Sequence, residues 1–437
     1  MTKALSLMVV SMLLAATLAV ASDDLVTVSS TARKSASPDL AIGPDGSINL
    51  IWVDKGANQP EDPHAAHKPG PPASGHSHKA YNNLYFARST DGGKTFSKPI
   101  RINSKEGELW GFATSKPRLA IGKSGTIHIF YHANRNDETA TRQAVDARYT
   151  RSTDGGKTFA PPRTLNTMGR KGYDDGELNE AHCFGTMSVA PNGEVHAFWI
   201  DTRHMKGEQD NGSIYGVVSR NDGKTFEPER AVFMNEACPC CQLGVTFSPD
   251  SKVYFSMRSV FADGSRDGTV ARSDDGGKTF GPRVPVSDQH WNIKACPLKP
   301  TTLTTDKDGR VFAVWFAGEM QPAGVYFARS EDGGKTFGNR QRLHAEAKQS
   351  DHAQIAIAKD GRVVVAWDAR VGEVRRIYLR TSTDHGQTFG AITELAAPAG
   401  MADYPVLGIG KTGQVVLAWQ QNNQILLRAL PLEMARK

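Results

Sequence analysis

The chain has 437 residues, 39% of them hydrophobic and 22% charged, with a formal net charge of +6. That is enough apolar sequence for a sizeable core, and the basic excess is small for the length. The charges are interspersed, with no basic block and no basic–aromatic run, which excludes the electrostatic footprint of a nucleic-acid binder.

In chain order, "MTKALSLMVVSMLLAATLAVAS" comes first. Lys3, the apolar run Ala4–Val20 and the small residues Ala19-Val20-Ala21 have the layout of a secretory signal peptide. Residues 1–21 are therefore expected to be a leader, residues 22–437 a single domain, and the protein periplasmic or secreted. The run is short for a membrane span, and no later segment reaches the roughly 20 apolar residues a span needs.

Beyond the leader the sequence repeats itself. "PDLAIGPDGSINLIWVD", from Pro38, reads as strand, tight turn, strand, and the pattern returns from Pro117, Gly185, Leu243, Thr301, Ala353 and Pro405. Six of these seven pairs lead into an alternating run such as "NLYFAR", then into the octapeptide Ser-x-Asp-x-Gly-x-Thr-Phe. The six copies are Ser89–Phe96, Ser152–Phe159, Ser219–Phe226, Ser273–Phe280, Ser330–Phe337 and Ser382–Phe389, with Asn221 at the Asp position of the third. A further strand-like piece follows each, as in "KPIRIN", so the octapeptide is a hairpin turn. Its Ser, Asp and Thr side chains suit bonds to nearby backbone, its Gly supplies positive φ, and its Phe can pack back between strands.

One repeat unit is thus four antiparallel strands. The seventh unit has two strands and "QILLRAL", and then the chain ends. "DLVTVSS" at Asp24–Ser30 can serve as its fourth strand and close a ring, leaving no free sheet edge. The expected fold is an all-β propeller of seven four-stranded antiparallel blades, closed by the N-terminal strand.

The octapeptide resembles the Asp box, or BNR repeat, of the sialidase (neuraminidase) superfamily. That resemblance implies a β-propeller, with six blades in the sialidases, so six is the alternative to the count of seven. It also implies an exo-α-sialidase type of glycoside hydrolase: three Arg on a substrate carboxylate, a Tyr nucleophile with an activating Glu, and an Asp acid/base. The Arg-Ile-Pro motif of that family does not occur here. Tyr404, at the start of a first strand, could imitate the Tyr.

The octapeptide turns and the first hairpin turns fall at one end of the units. A site is expected at the other end, where connections are long and irregular. Catalytic candidates there are Tyr404, Arg203, Arg370, Asp201 and Asp368, since Arg forks match carboxylates and acidic groups can move protons. Asp201-Thr-Arg203 and Asp368-Ala-Arg370 read equally as ion pairs that hold a loop. Arg118, Arg258, Glu319, His352 and Asp403 are the ligand-binding candidates.

The same end collects Cys183, Cys238, Cys240, Cys241 and Cys296, an odd number that leaves at least one sulfur outside an internal bridge. One reading is a disulfide clip between neighbouring loops, for example from Cys238 or Cys240 to Cys296. Another is a copper or zinc site of these thiolates with His182, and a third is thiol–disulfide chemistry. His64, His67, His76 and His78 lie in a Pro- and Gly-rich loop, either solvated or metal-capturing.

The functional expectation is a ligand-binding propeller that takes a small molecule, glycan, small anion or partner protein at this end. The alternatives are a sialidase-type hydrolase with rearranged residues, and a periplasmic copper- or zinc-binding protein.

Overall fold

The computed structural model describes residues 18–19, 25–30, 32–55, 82–111, 114–135, 144–167, 181–205, 211–293, 298–318, 322–347, 349–395 and 400–431. Among them every regular element is a strand. Most of the expected leader lies outside the described residues. Leu18–Ala19 pairs in parallel with Thr393–Glu394.

The strands follow the repeat. The first unit is Lys34–Ile42, Ile48–Lys55, Asn82–Ser89 and Ile100–Arg101, and the second is Arg118–Ile121, Ile127–Asn134, Val145–Ser152 and Arg163–Thr164. The third, His182–Val189, Val195–Asp201, Gly212–Ser219 and Arg230–Ala237, is joined to the fourth by the pair Ala237–Ser259. Gly244–Phe247, Val253–Val260, Arg266–Ser273 and Val284–Pro285 make that fourth unit. The fifth is Thr301–Thr305, Val311–Ala317, Gly324–Ser330 and Gly338–Arg342, and the sixth is Gln349–Ile357, Val363–Val371, Val374–Ser382 and Thr393–Glu394. The last is Ala402–Ile409, Val415–Gln421 and Gln424–Leu430, with Val26–Thr27 paired to Leu427 and Leu426 as its fourth strand.

The first strands of successive units touch in order, and that of the seventh lies against that of the first. Apolar residues of the first and last units, including Ile48, Leu50, Trp52, Val406, Val416 and Leu427, share one core cluster. Trp52, Trp199, Trp315, Trp367 and Trp419 recur on second strands and are all fully buried. They form the core between units, with indole in contact with the neighbouring sheet rather than with solvent.

The octapeptide folds as its letters require. In the first copy Ser89 Oγ donates to Asp91 and accepts from the Gly93 N–H, while Asp91 accepts from Lys94 N, Thr95 N and Thr95 Oγ1. Asp154 and Asp332 repeat that set. The Phe reaches the preceding unit: Phe159 sits edge-on to Phe86 at 5.1 Å, Phe226 to Tyr149 at 4.9 Å and Phe389 to Phe327 at 4.9 Å. The Arg before the Ser reaches forward instead. Arg88 donates to Gly155 O at 3.0 Å, Arg151 to Asp222 O at 2.9 Å and Arg329 to His385 O at 2.8 Å. One copy therefore closes its own turn and also ties its unit to both neighbours, which is why the sequence is reused almost unchanged.

Candidate functional site

At the end opposite the octapeptides, the first strands begin with a shared irregularity. Pairing slips between Ala36 and Asp39, Cys183 and Thr186, Asp351 and Gln354, and Asp403 and Val406. In each slip one non-glycine residue adopts the left-handed conformation: Ser37 (φ 53°), Phe184 (φ 50°), His352 (φ 51°) and Tyr404 (φ 53°). Such bulges re-aim side chains, and non-glycine residues rarely occupy that region.

Two of these residues meet. The His352 and Tyr404 rings lie 3.8 Å apart between centroids, tilted by 31°. Beneath them Asp368, on the second strand of the sixth unit, is completely buried. It accepts from His352 Nδ1 at 2.6 Å, from the Tyr404 N–H at 2.9 Å and from the Arg375 guanidinium. The Nδ1 proton therefore points at Asp368, and Nε2 carries the acceptor lone pair. Nε2 faces Asp351 at 3.7 Å, and Asp351 is ion-paired with Lys299 of the fifth unit.

Burial is the main force on these groups. It holds His352 down at about 4, against the pull of Asp351, so the imidazole is neutral at physiological pH. Burial also pushes Asp351 up, but His352 and the Lys299 ammonium outweigh it and hold the carboxyl at about 2. With His352 neutral, Lys299 is the effective partner. Asp403 is raised by burial. Just before the first strand of the second unit, Lys116 is lowered to about 8, again by burial, against Asp39.

Asp368→Asn tests how tightly this cluster is held. It leaves the Arg375 charge buried against a neutral amide, and breaking a buried pair from one side costs roughly 3–5 kcal/mol. A urea unfolding curve is expected to show a loss of that size with unchanged slope. A loss below about 1 kcal/mol, typical of exposed pairs, would show that the cluster is solvent-screened.

The other candidates are dispersed. Arg203 is forked onto Asp201 at 2.7 and 2.9 Å, bound to Glu229 at 2.8 Å and stacked on Tyr215. Asp201 also receives the Trp199 indole at 3.3 Å, so this Asp-x-Arg is the loop-holding ion pair. The second Asp-x-Arg departs from expectation. Arg370 pairs with Glu373 at 2.9 Å, and Asp368 is served by Arg375 from across the hairpin. Arg118 lies 3.7 Å from Asp39, and Arg258 is spent on the carbonyls of Arg266 and Lys299. Glu319, Cys296, His64, His67, His76 and His78 lie outside the described residues.

Cys238, Cys240 and Cys241 do converge, with their three Sγ atoms all within 4.8 Å of one another. Cys183, Cys238 and Cys241 are free thiols, so of the two clips expected to Cys296, from Cys238 or from Cys240, the one from Cys238 does not form. The Cys240 sulfur is disulfide-bonded, to a partner that is not one of these three. Cys183 and His182 also depart from expectation by standing outside the sulfur group. His182 is occupied by Val145 O at 2.8 Å and Asp201 at 3.4 Å. Lys299 and Arg375, which line the His352 cluster, belong to no motif and escaped the sequence reading. Lys299 does occupy the same repeat position as Cys183, Cys241, Asp351 and Asp403, and that register was the available signal.

The BNR repeat-like domain matches residues 113–417, well over half of the chain. The chain belongs to the BNR-repeat family. Solved structures similar to this BNR-repeat protein share its propeller fold at low identity. A protein of unknown function from Dyadobacter fermentans DSM 18053 is 20% identical with a TM-score of 0.50, covering 82% of this chain and 97% of its own. The Hadza microbial sialidase Hz136 is 13% identical with a TM-score of 0.50, covering 94% and 95%. The polysaccharide lyase PL25 ulvan lyase, bound to -[GlcA(1-4)Rha3S]-, is 11% identical with a TM-score of 0.55, covering 93% and 98%. No curated protein matches the chain. Among the described residues, no helix is long and apolar enough to cross a membrane.

Proposed function

We propose that this BNR-repeat protein is an exported carbohydrate-binding propeller of seven blades, with its ligand site where the first strands of the fifth, sixth and seventh units begin. Seven blades are supported by the seven four-stranded units and by the succession of first strands from the first unit round to the last. Closure of the ring is supported by the pairing of Val26–Thr27 with the last unit. Export is supported by the layout of residues 1–21. A sugar ligand is supported by the fold, which the sialidase and the ulvan lyase share.

The observation that carries the site is the close ring pair His352 and Tyr404, each in a left-handed backbone that costs roughly 1–2 kcal/mol. Strain of this kind concentrates where a side chain has to be aimed. Around the pair, whose imidazole is neutral, stand the Lys299–Asp351 and Asp368–Arg375 ion pairs, convergent polar groups beside an aromatic surface. A sialidase-type grip is not favoured. Arg203 and Arg370 are held by Glu229 or Glu373, and Arg258 by backbone carbonyls.

The test is a screen of the whole protein on neutral and acidic oligosaccharides, followed by calorimetry with Tyr404→Ala. The expected result is a saccharide ligand whose affinity falls at least about tenfold, or roughly 1.4 kcal/mol, in the variant. An empty screen, or equal binding by both proteins at matched melting temperature, would overturn the proposal. Release of reducing ends during the same incubations would favour an enzyme over a binding protein.

A further inference from the structure

We propose that Cys238, Cys240 and Cys241 form a site for a soft d10 metal ion, Cu(I) in preference to Zn(II), which opens when the disulfide at Cys240 is reduced. The site lies in the connection from the third unit to the fourth, and nothing in the carbohydrate reading uses it.

The spacing fits a metal. Cys238 Sγ is 3.5 Å from Cys240 Sγ and 3.8 Å from Cys241 Sγ, and all three lie within 4.8 Å. Thiolates at about 2.3 Å from a common ion stand roughly 3.8–4.0 Å apart, so closing the triangle takes shifts of tenths of an ångström. The loop that carries them is pinned, with the Cys238 N–H donating to Arg258 O at 2.9 Å and the Leu243 N–H to Phe184 O at 2.9 Å. Cys238 and Cys241 are each 1% exposed, and Cys240 is half-buried above them. Cys240 is therefore the most exposed of the three cysteines.

Three thiolates are soft ligands that select Cu(I) and Zn(II) over hard cations. Structural zinc sites close with four ligands; among the described residues the group offers three sulfurs, and the thiol that reduction releases from the Cys240 partner would have to join them to complete a zinc site. Three sulfurs suffice for Cu(I). The complex of Cu(I) with three thiolates carries a charge of −2, and two guanidiniums beside the sulfurs offset part of it. Arg266 lies 3.7 Å from Cys238 Sγ, and Arg258 is buried beside Cys241.

The chemistry balances in two steps. An external dithiol reduces the Cys240 disulfide, becomes a disulfide itself, and leaves two protein thiols. Cu(I) then displaces three protons from Cys238, Cys240 and Cys241 as three Cu–S bonds form. In the oxidised chain the bonded Cys240 sulfur is not available as a thiolate, so only the buried dithiol remains.

The experiment titrates full-length protein with Cu(I), without oxygen, against a chromogenic Cu(I) chelator, before and after phosphine reduction. Reduced protein is expected to take up one Cu(I) per chain, about a hundredfold tighter than the oxidised form. X-ray absorption should show three sulfurs at about 2.2–2.3 Å. Cys241→Ser should weaken binding more than tenfold on the scale of a lost ligand, while Cys183→Ser, outside the group, leaves it unchanged. If Cys241→Ser fails to fold, the wild-type absorption spectrum still decides. Fewer than three sulfurs at the metal, equal affinity before and after reduction, or tighter binding of Zn(II) than of Cu(I) would each overturn the proposal.

Discussion

Acidification is expected to unfold the protein before its carboxylates titrate, with stability falling from about pH 6.5 downward. The cause is a set of buried histidines. His128, His132, His196 and His344 are in the core, and His352 is nearly so. Burial lowers all five. His132, beside His182, is brought to about 3. His128 is held at about 4 in spite of Asp222, with Arg151 adding to the fall. His352 stays at about 4 in spite of Asp351 and Asp403, with Lys299 and Arg375 opposing its charge. His196, facing Glu194, Arg220 and Arg230, and His344, facing Glu346, Arg342 and Arg380, are lowered for the same reason.

An unfolded histidine takes its proton near pH 6.5, whereas His132 takes its own at about 3, His128 and His352 at about 4, and His196 and His344 below the ordinary value. Between those values the unfolded chain binds more protons, so the stabilisation is complete above about pH 6.5 and is lost as pH falls toward 4. Each such histidine removes up to about 1.4 kcal/mol per pH unit in that window. His128, His132 and His352 at half strength remove roughly 2 kcal/mol per unit, a sizeable part of an ordinary folding free energy, and His196 and His344 act in the same direction. The octapeptide carboxylates act later, since Asp332 and Asp384 are held at about 2 and matter only below about pH 4. Urea midpoints measured from pH 8 to pH 4.5 should be flat down to about 7 and then fall steeply. His132→Gln keeps an acceptor for the Gly185 N–H and should flatten the slope. A midpoint unchanged down to pH 4.5 would remove the argument.

How much of this could be read from letters depends on how local the cause is. The octapeptide was legible because its bonds close within five residues, as Ser89, Asp91 and Thr95 show. The fourth strand of the last unit was legible because an unpaired edge calls for a partner, and Val26–Thr27 supplies it. The bulges were not. A left-handed His352 or Tyr404 leaves no compositional trace, because the slip in pairing comes from the neighbouring strand. The partner of Asp368 was misread for a related reason. Arg370 is two residues away on the same strand, but Arg375 reaches Asp368 diagonally across the hairpin, once Arg370 and Arg375 are set opposite each other. Cysteine pairing was open by arithmetic alone, and only the fold brings three of the five sulfurs together.

Gly156→Ala is expected to be among the most damaging single substitutions in the chain, because one methyl group meets two obstacles. Gly156 has φ of +84°, where an L side chain costs roughly 1–2 kcal/mol. The new Cβ would also stand 2.6 Å from Phe86 Cζ and 3.3 Å from Ile127 Cδ1. Phe86 cannot easily retreat. It is 1% exposed and braced by Phe159 of the same octapeptide, while Arg88 holds Gly155 O from the same side. Overpacking at such a joint adds roughly 1–3 kcal/mol, for a total near 2–5 kcal/mol. Gly92→Ala separates the two contributions. Gly92 has φ of +80°, but nothing lies within 4 Å of its added Cβ, so it should lose only the backbone share. The excess loss in Gly156→Ala measures the contact between the first and second units, and equal losses in the two variants would show that the octapeptide closes its own turn without joining one sheet to the next.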